Sequence, residues 1–215
     1  MQRDLLDALR CPGTHEEGWL VAMVHEARGS ALIVADLACP VCGVEFPVHD
    51  GVAHFASVVP QSAVRPSAPF TSDLVLRLAA QLGVADSPLP VALVGRYAHA
   101  SGALASMLAA PQLLVNSGPV RSGADASRIV VADRLPLGVE TLAAVAIDAA
   151  HASPAMLGSA ARALRLGGRM VAPVDAPIPS GMRELARDEA EWVAETTTRV
   201  SGLVELRRRA PDSVG

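Results

Sequence analysis

Lysine is absent from this chain of 215 residues; all 18 of its basic residues are arginines. Schiff-base and lysine general-base chemistry are excluded on that ground alone. Aromatic residues make up only 3%. The chain therefore has few flat surfaces on which bases could stack, and single-stranded nucleic-acid binding is not indicated. The net charge is −4, and no basic run occurs before Arg207-Arg208-Arg209, so charge points to no phosphate-backbone face. Three cysteines are too few for a disulfide framework. Two of them in a C-x-x-C suit metal binding or packing in a reducing compartment, and a cytoplasmic protein is expected. No secretory signal is visible, because Met1 to Arg10 mixes acids and bases without an apolar core. The uncharged stretch from Tyr97 to Val120 is broken by Pro111, Asn116, Gly118 and Pro119, so no membrane span is expected either.

What is present is apolar: 51% of the residues, chiefly Ala, Val and Leu, ample for a core. The pattern divides the chain into residues 1–57, a Pro/Ser-rich linker at 58–70, and residues 71–215. In the first part, Leu5, Leu6 and Leu9 share one helical face. Trp19–Val24 and Ser30–Ala35 read as strands, with Arg28-Gly29 as the hairpin turn between them. In the last part helices and strands alternate. Thr71 or Ser72 caps a helix that carries Leu74, Leu78 and Leu82 and stops at Gly83. Strands are expected at 91–94, 113–115, 128–132, 144–147 and 169–174. Helices are expected at 101–110, at 153–166 behind Ser153-Pro154, and at 180–188. Residues 192–198 and 203–208 complete the tail as an antiparallel pair. Such alternation predicts an α/β fold, a mostly parallel sheet with helices on both faces.

The first chemical motif is Cys39-Pro40-Val41-Cys42-Gly43, a zinc knuckle whose glycine lets the backbone turn behind the second sulfur. Its counterpart, Cys11-Pro12-Gly13-Thr14, keeps one thiol and has Thr14 where a second belongs. His15 follows directly and can complete a set of Cys11, His15, Cys39 and Cys42 around zinc. The alternative is a metal-free site in which the thiols simply pack. Together with the closing segment Phe46-Pro47-Val48-His49-Asp50-Gly51-Val52, these residues resemble the small zinc-ribbon family that activates tRNA and protein methyltransferases. The resemblance covers about Leu5 to Phe55. It implies a ribbon that serves as a partner or accessory surface and is not itself catalytic.

The second part resembles a class I S-adenosylmethionine-dependent methyltransferase of Rossmann-like architecture. The resemblance rests on Ile129–Asp133, on Val145-Ala146-Ile147-Asp148 and on the turn Leu164-Arg165-Leu166-Gly167-Gly168-Arg169. It implies cofactor contacts at the ends of the first three strands, where Gly95, Asn116 and Asp133 stand. The glycine-rich turn that lets the cofactor approach the first strand is reduced to Val94-Gly95-Arg96-Tyr97, with bulky side chains after a single glycine. Asn116 stands where a ribose-binding carboxylate is expected. S-adenosylmethionine is thus an uncertain ligand of this crevice. Asp148 and His151 after the fourth strand are either an acid/base pair or exposed loop polars. His99 near a helix start is either an anion ligand or a solvated loop residue.

Three functions follow. The leading one is a noncatalytic, methyltransferase-like accessory protein that binds a protein partner, itself a methyltransferase in one version. The alternative is an active methyltransferase with a divergent cofactor loop and a built-in activator ribbon. A third is a domain that takes another small ligand in the same crevice through Arg96.

Overall fold

The computed structural model describes residues 1–56, 70–84, 86–118 and 125–198. The first 56 residues form a short 3-10 turn, Arg3–Asp7, and a four-stranded antiparallel meander. Its strands are β1 (Val21–Arg28), β2 (Ala31–Ala38), β3 (Glu45–His49) and β4 (Val52–His54). The first two strands begin and end later than the pattern predicted, with the turn at Gly29-Ser30.

The remainder contributes α1 (Ser72–Leu82), β5 (Val91–Val94), α2 (Ser101–Leu104), β6 (Gln112–Val115), β7 (Ala126–Val130) and β8 (Leu142–Ile147). It continues with α3 (Pro154–Ala163), β9 (Leu164–Pro173), β10 (Met182–Arg187) and β11 (Glu191–Thr196). All eleven strands belong to one sheet, ordered β1-β2-β3-β4-β7-β6-β5-β8-β9-β11-β10. The strands from β7 to β9 run parallel, and the order reverses at β5, the switch point where ligands of doubly wound sheets bind. β5, β6 and β8 are buried along their whole length, as strands covered on both faces must be. The α/β class and its mostly parallel core thus stand as the alternation implied.

The joint between the two halves is a three-residue parallel pairing: Val52 opposite Arg128, Ala53 opposite Ile129 and His54 opposite Val130. Residues 131–141, between β7 and β8, contain no helix. The start of the chain covers that face instead. Leu5, Leu9 and Leu20 pack in one core with Leu135, Leu137 and the inner face of α3, and Leu9 bridges to Leu137. α1 and the segment after β5 enclose a second core on the opposite face.

Both helix caps read from the sequence are present. The Thr71 hydroxyl accepts the Leu74 N–H at 3.4 Å, and the Ser153 hydroxyl accepts the Met156 N–H at 3.1 Å. The buried face of α1 is Val75, Leu78 and Leu82, and Leu74 points outward. Three expectations are corrected. The helix after Ser153 stops at Ala163, because Leu164 turns extended and opens β9. In the turn that follows, a Cβ on Gly168 would lie 2.8 Å from the Arg165 carbonyl and 2.9 Å from that of Ala143, so only glycine fits. The helix at 101–110 is reduced to a 3-10 turn at Gly95–Ala100 and the four residues of α2. Residues 182–187 form a strand, not a helix. Pairing with β11, which is anchored by the fully buried Trp192 and carries Glu195 against Arg183, overrides the local helix preference. The strand expected at 203–208, Arg207–Arg209, and all of the 58–70 linker but Phe70 lie outside the described residues. Among the described residues no helix is long and apolar enough to cross a membrane.

A core shared by both halves predicts one cooperative unfolding transition. Leu9→Ala is expected to lower stability by about 2–5 kcal/mol while the transition stays single. Denaturant unfolding followed by far-ultraviolet circular dichroism and by tryptophan fluorescence checks this.

Candidate functional site

Two places carry chemistry, one in the ribbon and one at the carboxyl edge of the parallel strands. In the ribbon the structure brings together Cys11, His15, Cys39 and Cys42, with one ligand atom from each within 4.8 Å of all the others. The Cys11 and Cys42 sulfurs lie 3.8 Å apart, and His15 Nε2 lies 3.2 Å from the Cys11 sulfur and 3.4 Å from that of Cys39. Tetrahedral zinc with Zn–S of ~2.3 Å and Zn–N of ~2.0 Å requires S···S edges of about 3.8 Å and S···N edges of about 3.5 Å. The donor set therefore has the type and the spacing that a metal needs. His15 Nδ1–H donates to the Glu16 carbonyl at 2.6 Å, which leaves Nε2 as the ligating nitrogen. Thr14 is exposed, and the longer reach of an imidazole one residue later replaces the missing thiol.

The thiols are unequal. Burial raises Cys39, but the backbone N–H groups of Cys42 and Val41 outweigh it and bring the thiol down to about 7. Burial pushes Cys11 up to about 11, opposed by the Gly13 N–H and reinforced by the neighbouring thiols.

At the sheet edge, Gly95, Asn116 and Asp133 follow the ends of β5, β6 and β7, in the places the resemblance implied. Their surroundings differ. Gly95 ends β5 with φ +62°, and a Cβ there would overlap the Asp148 carboxylate and lie 2.6 Å from His151 Nδ1. The Arg96 N–H donates to Asp148 Oδ2 at 2.7 Å, and His151 Nδ1 lies 2.6 Å from Asp148 Oδ1. Asp148 and His151 are 8% and 5% exposed, so they are a buried pair packed onto the glycine and not exposed loop polars. His151 Nε2 is buried without a hydrogen-bond partner among the described residues. Sequence reasoning named these two residues but missed their contact with Gly95, which requires β5 and β8 to be neighbours.

Asn116 is buried with φ +52°. Both ends of its amide are engaged by Val131, accepting its N–H at 2.9 Å and donating to its carbonyl at 3.1 Å. It ties β6 to the end of β7. Asp133 is exposed and pairs with Arg134 at 3.5 Å. Arg96 swings away from the edge, over Tyr97 and onto Glu191 at 3.0 Å. Tyr97 also donates to Glu191, and burial holds its phenol well above the usual range. His99 is exposed. Cavities of about 510, 270 and 210 Å³ lie along the described surface, the first at the seam between the ribbon and α3.

No protein-family model matches the chain, and no curated protein does. Among solved structures it is similar to an S-adenosyl-L-methionine methyl transferase from Silicibacter pomeroyi DSS-3, with 19% identity and a TM-score of 0.39 over 57% of this chain and 88% of that one. It is also similar to precorrin-6y C5,15-methyltransferase from Geobacter metallireducens GS-15, with 12% identity and a TM-score of 0.38 over 64% of this chain and 94% of that one. Neither likeness says what this chain binds.

Two outcomes are expected. Metal analysis should find one zinc per chain. Cys39→Ser or a chelator should remove it and lower the melting temperature by roughly 10 °C. At the edge, burial raises the Asp148 carboxyl, but the His151 side chain and the Arg96 N–H outweigh it and hold it below its ordinary value of 3.8. A depressed folded-state value gives stability that is complete above that pH and is lost as pH falls below it. Asp148→Asn should cost about 2–4 kcal/mol at neutral pH and flatten this acid limb in denaturation curves taken from pH 6 to pH 2.

Proposed function

We propose that this protein is a noncatalytic, methyltransferase-like binding protein, with an activator-type ribbon clamped by zinc and docked onto its own sheet. The observation that carries the reading is the contact of Asp148 and His151 with Gly95. The backbone surface that a methyl donor would approach is already covered by a buried, hydrogen-bonded carboxylate and imidazole. The Arg96 amide at that point is spent on Asp148. The engagement of Asn116 with Val131 supports the same conclusion.

Cys11, His15, Cys39 and Cys42 would hold the zinc ion, which would fix the two knuckles against each other. The edge of β4, which a ribbon of this kind could offer to a separate sheet, is occupied by β7 of the same chain. Among the described residues the ribbon's other edge, β1, pairs with no further strand. There Trp19, Val21 and Met23 alternate with their side chains 59–61% exposed, close to the equally exposed Val41. A protein partner is the natural ligand of such a surface, because solvent-facing apolar stripes are otherwise unfavourable. The three free thiols suit a reducing compartment.

Calorimetric titration of the full chain with S-adenosylmethionine and with its demethylated product tests the reading. No binding tighter than about 1 mM is expected, and the melting temperature should not move. Saturable micromolar binding would overturn the proposal and favour an active enzyme with a divergent loop.

A further inference from the structure

We infer that the cavity at the seam between the ribbon and α3 is a binding site for the phosphate group of a small organic molecule. Its volume of about 510 Å³ lies within the range of small-molecule sites. Three guanidinium groups, Arg10, Arg134 and Arg162, line it against a single carboxylate, Glu17. This is a local excess of positive charge in a chain whose net charge is −4.

The three arginines are placed by different parts of the fold. Arg10 is pinned by its own Nη1, which donates to the carbonyls of Asp7 and Leu9 at 2.8 Å, and it stacks 3.6 Å over the Trp19 ring. Its Nε and Nη2 lie along Gly138 and have no hydrogen-bond partner among the described residues. Arg162 is fixed by Glu17 and by the Leu137 carbonyl at 3.1 Å. Arg134, half exposed, meets only Asp133, at 3.5 Å, among the described residues, and keeps both terminal nitrogens. A fork of fixed and mobile guanidiniums around one space suits a dianion that accepts several charge-assisted hydrogen bonds. Proline and alanine side chains between them, at Pro12, Pro154 and Ala155, offer apolar wall for the rest of the ligand.

Gly158 is the second observation. It stands inside α3, where glycine weakens a helix, and a Cβ added there would meet nothing within 4 Å. Neither a positive φ nor a close neighbour demands glycine at this position. What its missing side chain leaves open is the wall of the cavity.

The test uses phenyl phosphate, with inorganic phosphate and phenol as controls, titrated calorimetrically into the full chain at fixed ionic strength. Phenyl phosphate should bind saturably at one site, with inorganic phosphate weaker and phenol undetectable. Arg134→Gln should weaken binding by roughly tenfold with no change in melting temperature, because its side chain is exposed and pairs only with Asp133. Gly158→Leu should abolish binding while the melting temperature holds or rises. Arg28→Gln, on the exposed face of β1, should leave binding unchanged. The site is ruled out if phenyl phosphate gives no saturable signal. It is equally ruled out if phenol binds as well, if Arg134→Gln and Gly158→Leu both bind normally, or if Arg28→Gln weakens binding as much as Arg134→Gln.

Discussion

Everything in this molecule leans on the parallel pairing of β4 with β7 and on the core beneath it. A ribbon of some fifty residues buries too little apolar surface to hold itself without a metal or a neighbour. A doubly wound sheet whose third strand ends in an open edge, with no helix between β7 and β8, exposes an apolar face. Each defect repairs the other. Val52 to His54 close the edge, and Leu5, Leu9 and Leu20 take the place of the absent helix against Leu135 and Leu137. The ribbon is in this sense a structural part of the sheet, and Cys11 and His15 of the Cys–His cluster also line one wall of the seam cavity.

The same neighbour relations that build the sheet bring Asp148 and His151 onto Gly95. β5 and β8 are adjacent, so residues just past their ends must share space. Here a carboxylate and an imidazole occupy it, and their pairing removes the cost of burying either one alone.

The core strands were legible because each is a short apolar run between turn signals, and the starts of α1 and α3 because a hydroxyl stands ahead of each. The metal set was legible from spacing, His15 included, since a knuckle is a local object. The joint was not. Val-Ala-His is too short to carry a periodic pattern, and nothing local says that it pairs 76 residues away. Met182–Arg187 misled because its residues favour a helix in isolation, while its strand form comes from the buried β11 beside it. Asp148, His151 and Gly95, like the arginines of the seam cavity, become a site only through strand order and the fold of the first ten residues.

The central claim is that the Gly95 turn is shut by Asp148 and His151. The Arg96 amide reports on it most directly, through its hydrogen exchange and its chemical shift with and without S-adenosylmethionine. A closed edge predicts an amide protected from exchange to the same degree as those of β5, with a shift that does not move at millimolar ligand. A rapidly exchanging amide, or a shift that saturates as the ligand is added, would contradict it and mean that the crevice opens to a cofactor.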